Sequence, residues 1–511
     1  MENIKRKPNY FMIGIMMVGT LIAVLNNVAL SVALPDVMKD LGIEEYSTVQ
    51  WLTTINMLFS GILIPASAYF ITKFKSHHVF ITAMSLFTIG TILAPMAQNF
   101  YMLLAARSIQ ASGTAILMPL LMNIMLASFS REKRGKALGI YGLIYMLAPV
   151  LGPLLSGFVV DNYGWRMIFI VIAPLAIINL GLGIWKLENV LEQRETTIDY
   201  LSLVFSSIGF TSLLLGFGNA SINSWTDTSV LGGISLGVLA ITLFVIRQFK
   251  IKTPLLDLRV YTYPMFALSS IIAVLLAMLL YAPNILLPFY FQNIQGLSTL
   301  QSGLIPLPGT IVMALGMPIA GKLYDKIGAK SLAITGFTLI GISAFFMSIL
   351  TLETTAFYVM IWLIIRSLGI SLILMPMQTN GLNQLPARLN ASGTAVNGTV
   401  QQVSGAVGTA IFVTLKTHYA TSEASRLLNE ATLEYGSSVG IAMQEEITRQ
   451  AGVAAFNYTS LVTIGIAGVA LLLSLFVKKK FHPEEVIEKT ITEEVMVTKI
   501  KKTTKKQLKR I

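Results

Sequence analysis

Long apolar stretches without charged residues recur along the whole chain. About fourteen stretches of roughly 20 residues are apolar on every face, whereas the helices of a soluble bundle would carry a polar stripe at a period near 3.6 residues. The pattern therefore predicts an all-α integral membrane protein with about fourteen transmembrane helices. The predicted helices begin near Tyr10, Gln50, Val79, Tyr101, Ala137, Met167, Tyr200, Ser229, Met265, Gln301, Ser331, Ala356, Gly393 and Tyr458.

The fifth predicted helix contains the unusual run APVLGPLLSG. Ala148, Gly152 and Ser156 recur at every fourth position, so one face of this helix lacks bulky side chains and can pack closely against another helix. Pro149 and Pro153 share a different face and bend the same segment. From these residues alone, a tightly packed kinked helix and a functional element are both open interpretations.

The composition and charge distribution support a membrane location with a defined orientation. The chain is 54% hydrophobic and 12% charged, against about 25% charged in soluble proteins. Most of its 37 lysines and arginines lie in the N-terminal arm, in alternate loops and in the tail from Lys478. By the positive-inside rule, this asymmetry predicts that both termini are cytoplasmic. The net charge of +12 therefore requires no nucleic-acid partner.

Other features limit the chemistry that the chain can perform. The basic tail could rest on anionic lipid or could simply be solvated, and both interpretations are open. The absence of cysteine excludes disulfides and thiolate metal sites, and the four histidines lie in predicted loops or the tail. We therefore predict no metal site and no cofactor.

An internal repeat relates the first and last parts of the chain. The fourth predicted helix contains RSIQASGTAILMP and the twelfth contains RSLGISLILMP. We therefore predict six-helix bundles in residues 1–187 and 264–477, with two inserted helices and their loops in residues 188–263. We expect residues 416–457 to form an outer loop with a short surface helix, and residues 478–511 to form a cytoplasmic tail. Two related halves around a central cavity are typical of transporters.

Five motifs follow one another at matching places along the chain. The run APVLGPLLSG is followed by GWRMIF, the fourth helix contains AARSIQASGTAILMP, the loop after the tenth contains GKLYDKIGAK, and the thirteenth contains ASGTAVNGTVQQVSGAVGTA. In these motifs nearly the whole chain resembles the major facilitator superfamily, and specifically its fourteen-helix drug/proton antiporter subfamily. It is similar to bacterial multidrug exporters of the lincomycin-resistance type.

The resemblance implies roles for several residues. It makes Arg107 a membrane-embedded arginine of the fourth helix and Asp325 a gating aspartate. It also makes the run in the fifth helix an antiporter motif, formed by Pro149, Gly152, Pro153 and Gly157.

Two positions depart from the family pattern. Thr72 stands in FITKFKSHH where the family commonly has an aspartate. Some other members of the subfamily also lack this aspartate. Asn26 stands in LNNVALSVALP where the first helix usually carries an acidic residue. No Asp or Glu falls inside any predicted span, so the proton that an antiporter would exchange has no obvious carrier.

The ionisable residues inside predicted spans are functional candidates, because a charge at the centre of a bilayer is costly. They are Arg107 and Arg366, and arginine does not release its proton at physiological pH. Each could bind an anion or gate a carboxylate, or could instead bond to bared backbone carbonyls. Asp36 and Asp161, at helix ends that we expect on the outer side, are the nearest candidate carboxylates for coupling or gating, or are solvated helix-end charges.

Polar and thioether side chains in otherwise apolar helices are candidates for a substrate cavity. For each amide, hydrogen bonding between helices is an equally open interpretation. The candidate substrate-binding residues are Asn26, Asn27, Asn56, Met118, Asn123, Tyr141, Tyr145, Asn284, Asn397 and Gln401.

The leading hypothesis is a secondary exporter of amphipathic small molecules in the bacterial plasma membrane, acting as a monomer by alternating access with proton antiport. The alternative is an exporter or flippase of one endogenous lipid or anionic metabolite on the same fold, with a different coupling. No acid–base cluster indicates a membrane enzyme, and no phosphate-binding glycine loop with its lysine indicates ATP drive.

Overall fold

The computed structural model describes residues 9–44, 46–130, 133–193, 199–220, 224–251, 254–281, 286–287, 290–297, 299–435 and 441–478. Within these ranges the chain forms fourteen long helices and no strand. They are α1 Tyr10–Asp40, α2 Tyr46–Lys73, α3 Ser76–Leu93, α4 Phe100–Ser128, α5 Arg134–Tyr163, α6 Arg166–Lys186, α7 Tyr200–Ala220, α8 Thr228–Lys250, α9 Pro264–Tyr281, α10 Leu307–Ile327, α11 Ala329–Met347, α12 Ala356–Leu382, α13 Asn390–Tyr435 and α14 Ile441–Ser474.

Twelve candidate spans in the described part of the chain are long and apolar enough to cross a membrane. The two long helices outside this set are α9, whose apolar part is the shorter segment Pro264–Leu280, and α13, whose first half is rich in Gly, Thr, Asn and Gln. The all-helical membrane fold is therefore confirmed, and the count of fourteen spans is approximate.

Successive helices run in alternating directions between two ends of the bundle. At one end, here called the Lys73 end, the first residue of α3 meets the segment after α6, because the Ser76 amide donates to Asn189 Oδ1 at 3.0 Å. At the other, the Asp40 end, α1 ends beside the start of α6, where Trp165 Nε1 donates to Asp40 Oδ2 at 3.1 Å. Arg166 also bonds to this carboxylate, and these two hydrogen bonds lower the pKa of Asp40.

The same packing pattern occurs in α1–α6 and in α9–α14. The first helix packs against the fifth and sixth, the second against the fourth, and the third against the fourth and sixth, in both sets. Between the sets, α5 packs against α10 and α2 packs against α13. Each contact joins the fifth helix of one set to the second helix of the other, which is the arrangement that a pseudo-two-fold axis produces.

The inserted helices α7 and α8 form a close hairpin. A Cβ on Gly233 would lie 2.9 Å from Gly216 Cα, so the two backbones pack directly against each other. At the Lys73 end, Asp199 accepts from Arg247 Nε at 2.6 Å, and this hydrogen bond is the main cause that lowers the pKa of Asp199 to about 2. The hairpin attaches through α7 to α2 and α13, so it lies against the α2–α13 contact between the helix sets and not against the α5–α10 contact.

The segment expected as an outer loop with a short surface helix differs from that expectation. Residues 416–435 continue α13 without a break, and residues 441–457 already belong to α14. Ion pairs lie along the extension of α13, where Arg426 bonds to Glu423 and Glu430. Such pairs at spacings of three and four residues stabilise a helix, and α13 extends past its apolar stretch.

Candidate functional site

Arg107 on α4 lies at the centre of a buried polar network in the first helix set. Its side chain is 1% exposed and donates to four oxygens. Nε donates to the Leu52 carbonyl of α2 at 3.2 Å, and the two terminal nitrogens donate to Asn26 Oδ1 and Asn27 Oδ1 of α1 at 3.1 and 2.5 Å. The fourth acceptor is Gln110 Oε1, one turn along α4. The guanidinium thereby joins three helices.

The network extends to a fourth helix and contains no carboxylate among the described contacts. Gln110 Nε2 donates to Thr91 Oγ1 of α3 at 2.7 Å, and Thr91 in turn donates to the Phe87 carbonyl. Every oxygen that Arg107 contacts is a neutral amide or peptide oxygen. The positive charge is therefore buried against oriented dipoles alone, and these can exchange partners without breaking an ion pair.

The small-residue face of α5 packs against the same stretch of α1. Ser156 Oγ donates to the Ala29 carbonyl at 2.8 Å, and a Cβ on Gly152 would lie 2.6 Å from Val28 Cγ1. Ala148 is fully buried. Helix α1 is therefore held between Arg107 on one side and the Gly152 face on the other, so a shift of α5 would move Asn26 and Asn27.

We expect Gly152→Ala to reduce transport about tenfold, whereas Gly157→Ala should have little effect. The added Cβ meets the β-branched Val28, which has little rotamer freedom in a helix, and overpacking of this kind costs about 1–3 kcal/mol. Nothing lies within 4 Å of a Cβ on Gly157, so it is a matched control in the same motif. Initial transport rates at equal amounts of folded protein in vesicles test the difference. Equal rates for the two variants would contradict it, and Val28→Ala should recover part of the Gly152→Ala loss.

Asp325 joins the two helix sets at the Lys73 end. It lies in the last turn of α10, and its two oxygens accept from the first amides of α5, Gly135 N at 3.0 Å and Lys136 N at 2.9 Å. A carboxylate in this position satisfies two free amides of a helix N-terminus and faces the positive end of its dipole. The contact therefore acts as a cap that one half of the molecule places on a helix of the other half.

A second polar group reinforces this contact. Arg134 donates to Asn383 Oδ1 at 3.2 Å, and Asn383 Nδ2 donates to the Tyr324 hydroxyl at 3.1 Å. Two glycines allow the helices to approach, because a Cβ on Gly135 would lie 2.5 Å from the Gly321 carbonyl. These residues form the α5–α10 seam: Arg134, Gly135, Lys136, Gly139, Gly321, Tyr324, Asp325 and Asn383.

The other predicted coupling residues lie apart from these two groups. Arg366 is 9% exposed and donates to the Leu279 carbonyl of α9. Asp36 is exposed near the end of α1, and it is Asp40, one turn further, that bonds to Trp165 and Arg166. Backbone positions of Asp161 and Pro153 lie in α5, but their side chains lie outside the described part of the structure.

The structure places the predicted substrate-binding residues in different surroundings. Asn26 and Asn27 bind Arg107, and Asn123 donates to the Pro119 carbonyl of its own helix at 2.9 Å. Asn397 Oδ1 is buried without a hydrogen bond, and Gln401 accepts from Gln378 at 3.4 Å. Asn56 and Tyr141 are buried, Met118 and Tyr145 are partly buried, and Asn284 lies outside the described residues.

Sequence reasoning missed several residues of these networks. Gln110 carried a usable signal, because it lies one turn from Arg107 and the two therefore share a helix face. The partners of Asp325 carried no such signal, since Gly135 offers only its backbone amide and lies 190 positions away in the sequence. Arg134 and Asn383 resembled ordinary loop residues.

Comparison with known proteins agrees with this architecture. The sequence profile of the Major Facilitator Superfamily matches residues 16–409. The chain is 38% identical to the uncharacterized MFS-type transporter YcnB of Bacillus subtilis, over 94% of this chain and 98% of YcnB. It is 37% identical to the lincomycin resistance protein LmrB of Listeria monocytogenes, over 93% of this chain and 98% of LmrB.

A solved structure gives the same result for the fold. A double tryptophan mutant of XylE superposes with a TM-score of 0.63 at 13% identity, covering 93% of this chain and 98% of XylE. YcnB is described as an MFS-type transporter, which agrees with the paired helix sets of this structure. The chain therefore belongs to the Major Facilitator Superfamily.

Proposed function

We propose that this chain is a secondary active exporter of amphipathic small molecules that works by alternating access and proton antiport. The observation that carries the proposal is the packing of the α5 motif on α1, directly beside the Arg107 network. In the resemblance drawn from sequence, that motif distinguishes antiporters from uptake carriers. The similarity to lincomycin resistance proteins favours drug-like amphiphiles as cargo.

The contacts between the helix sets support alternating access. At the Lys73 end the halves are joined by hydrogen bonds from Asp325 to two backbone amides and by the Arg134–Asn383–Tyr324 group. These contacts are polar and local, so they can break without exposing a large apolar core. Rocking of one half against the other would open this end, which we propose faces the cytoplasm because most lysines and arginines flank it.

Proton antiport requires a group that binds a proton on one side of the membrane and releases it on the other. Among the buried residues that the structure describes there is no Asp or Glu, so we place the exchanging carboxylates at helix ends. Asp325, Asp40 and Asp36 are the candidates, and we propose that Arg107 transmits their state by changing its partners on α1 rather than by carrying a proton. With only neutral oxygens around the buried arginine, neutral or zwitterionic amphiphiles should be favoured over lipophilic dications.

We expect everted vesicles that contain the full chain to accumulate radiolabelled lincomycin when their lumen is acidic. Adding lincomycin should also release protons from the lumen, because an antiporter moves protons out of the lumen as it moves lincomycin in. A luminal pH dye and filtration of the vesicles measure both quantities, and vesicles without the chain are the control. Accumulation of lincomycin without any change in luminal pH would show that transport is not coupled to protons.

The same vesicles test the cargo. If neither lincomycin nor a panel of neutral and zwitterionic amphiphiles is transported, the drug-export proposal is wrong. Lipid analysis of cells that express the chain, compared with cells that do not, then tests the alternative of an endogenous lipid or metabolite.

A further inference from the structure

The two buried arginines occupy matching places in the repeat, but their surroundings differ. Arg107 begins RSIQ, whose last residue is the acceptor Gln110, whereas Arg366 begins RSLG, whose last residue is Gly369. A side chain cannot be restored there easily, because a Cβ on Gly369 would lie 2.6 Å from the Gly336 carbonyl. The second copy therefore keeps the arginine and lacks the amide that accepts from it.

The acceptors on the first helix of each set differ in the same way. Arg107 reaches the side chains of Asn26 and Asn27 on α1. Arg366 reaches the corresponding part of α9, where its one acceptor among the described residues is the Leu279 backbone carbonyl and the next residue is Leu280. Its Nε is buried without a hydrogen-bond partner, and no ion pair of Arg366 occurs among the described residues.

A small cavity lies beside Arg366. It is lined by apolar residues of α9, α11 and α13, among them Leu279 and Phe412, and by the hydroxyl-bearing face of α14. The volume open to the centre of a water-sized sphere is about 30 Å³, which is room for one or two waters or one monatomic ion. A drug-sized molecule does not fit.

The hydroxyl groups of the cavity wall do not compete for the role of donor. Thr459 and Ser460 both donate to the Phe456 carbonyl, at 2.8 and 3.0 Å, and Thr463 donates to the Thr459 carbonyl at 3.1 Å. Each hydroxyl has one proton, and these protons are engaged within α14. The free donor of the cavity is therefore the guanidinium of Arg366.

We propose that this cavity binds one small monovalent inorganic anion, of the size of chloride, on Arg366. A charged arginine in an apolar interior needs a counter-charge or several polar acceptors. Among the described residues Arg107 has four acceptors and Arg366 has one. The cavity is the right size for a further acceptor, and the free donor among its described lining residues carries a positive charge. The site lies inside the second helix set, so it does not depend on which substrate the protein exports.

The test is a melting experiment on the full-length chain in detergent, followed by intrinsic tryptophan fluorescence. Sodium chloride replaces sodium gluconate at constant ionic strength, because gluconate is too large for the cavity. The Tm should rise by a few degrees and saturate as chloride increases, since a ligand of the native state stabilises it. Bromide should act in the same way.

Three variants locate the effect. Arg366→Gln should abolish the response to chloride. Arg107→Gln removes the matching buried arginine and should retain the response, as should Arg426→Gln, which removes an exposed arginine. An equal response in Arg366→Gln, or no saturable response in the unaltered chain, would overturn the proposal.

A direct measurement covers the case in which Arg366→Gln does not fold. Crystals of the unaltered chain soaked in bromide should show an anomalous peak next to the Arg366 guanidinium. A peak at that position supports the site, and well-ordered crystals without one would show that the cavity holds only water.

Discussion

Arg107→Gln and Arg107→Lys should both reduce transport by at least about 100-fold, because each removes two or more charge-assisted hydrogen bonds worth about 1.5–3 kcal/mol apiece. Glutamine cannot reach four acceptors on three helices. Lysine keeps the charge but presents a single compact ammonium in place of the guanidinium fork. Asn26, Asn27 and the Leu52 carbonyl would then lack their common donor, and α1 would lose its hydrogen bonds to Arg107 of α4.

The measurement separates transport from folding. Substrate uptake into vesicles is compared at equal amounts of protein that elutes as a single species in detergent. Gln110→Ala is the graded control, because it removes one acceptor of Arg107 and the contact to Thr91 but leaves the three bonds to α1 and α2. It should cost about tenfold or less, for one hydrogen bond of this kind. If Arg107→Lys transported at the unaltered rate, Arg107 would be a packing residue only.

The fold could be predicted from the sequence because each transmembrane helix needs a long apolar segment, and hydropathy detects such segments. Each predicted start lies within a long helix, except that Gln301 lies in the short helix Thr299–Leu304 before α10. The end of α13 could not be predicted in this way. Residues 416–435 are mostly polar and lie past the apolar stretch, so hydropathy alone does not show that the helix continues through them.

The candidate site could be predicted only where one segment contains the signal. The spacing of Gly152 and Ser156 predicted a close-packed face, and the structure places α1 against that face. The partner itself was not predictable, because Val28 and Ala29 look like any apolar pair. The difference between Arg107 and Arg366 was also hidden, since it depends on which residues of α1 and α9 lie opposite them. The domain boundaries and the cytoplasmic placement of the termini remain predictions.

The Asp325 cap joins the two halves of the molecule through backbone amides. Its two oxygens accept from Gly135 and Lys136, and these amides belong to the opposite half of the molecule. Glycine at positions 135 and 321 brings the backbones close enough for this contact. The α5 helix thus joins both parts of the site: its first turn is capped by Asp325, and its middle packs on the helix that binds Arg107.

Asp325→Ala should open the α5–α10 seam in a large fraction of molecules and reduce transport at least about tenfold. Two charge-assisted hydrogen bonds are lost, and about 3 kcal/mol would shift the balance between closed and open states by about 100-fold. The chain has no cysteine, so spin labels attach only where cysteines are introduced. Lys133 and Lys326 are exposed on the two sides of the seam and suit such labels. The distribution of distances between the two labels should gain a long-distance component in Asp325→Ala. In Asp325→Asn this component should have a smaller population.

Asp227→Asn is the matched control for this measurement. Asp227 also caps a helix, since it accepts from the Ser229 amide at 2.8 Å, but both groups belong to the start of α8 and no contact crosses between the halves. Its replacement should leave the 133–326 distance unchanged. If Asp325→Ala also left that distance and the transport rate unchanged, the cap would contribute nothing to closure, and the Arg134–Asn383–Tyr324 group alone would hold the seam. The double variant Asp325→Ala with Asn383→Ala separates the contributions of the Asp325 cap and the Arg134–Asn383–Tyr324 group. The seam should open further in the double variant than in either single variant only if both groups stabilise the closed state.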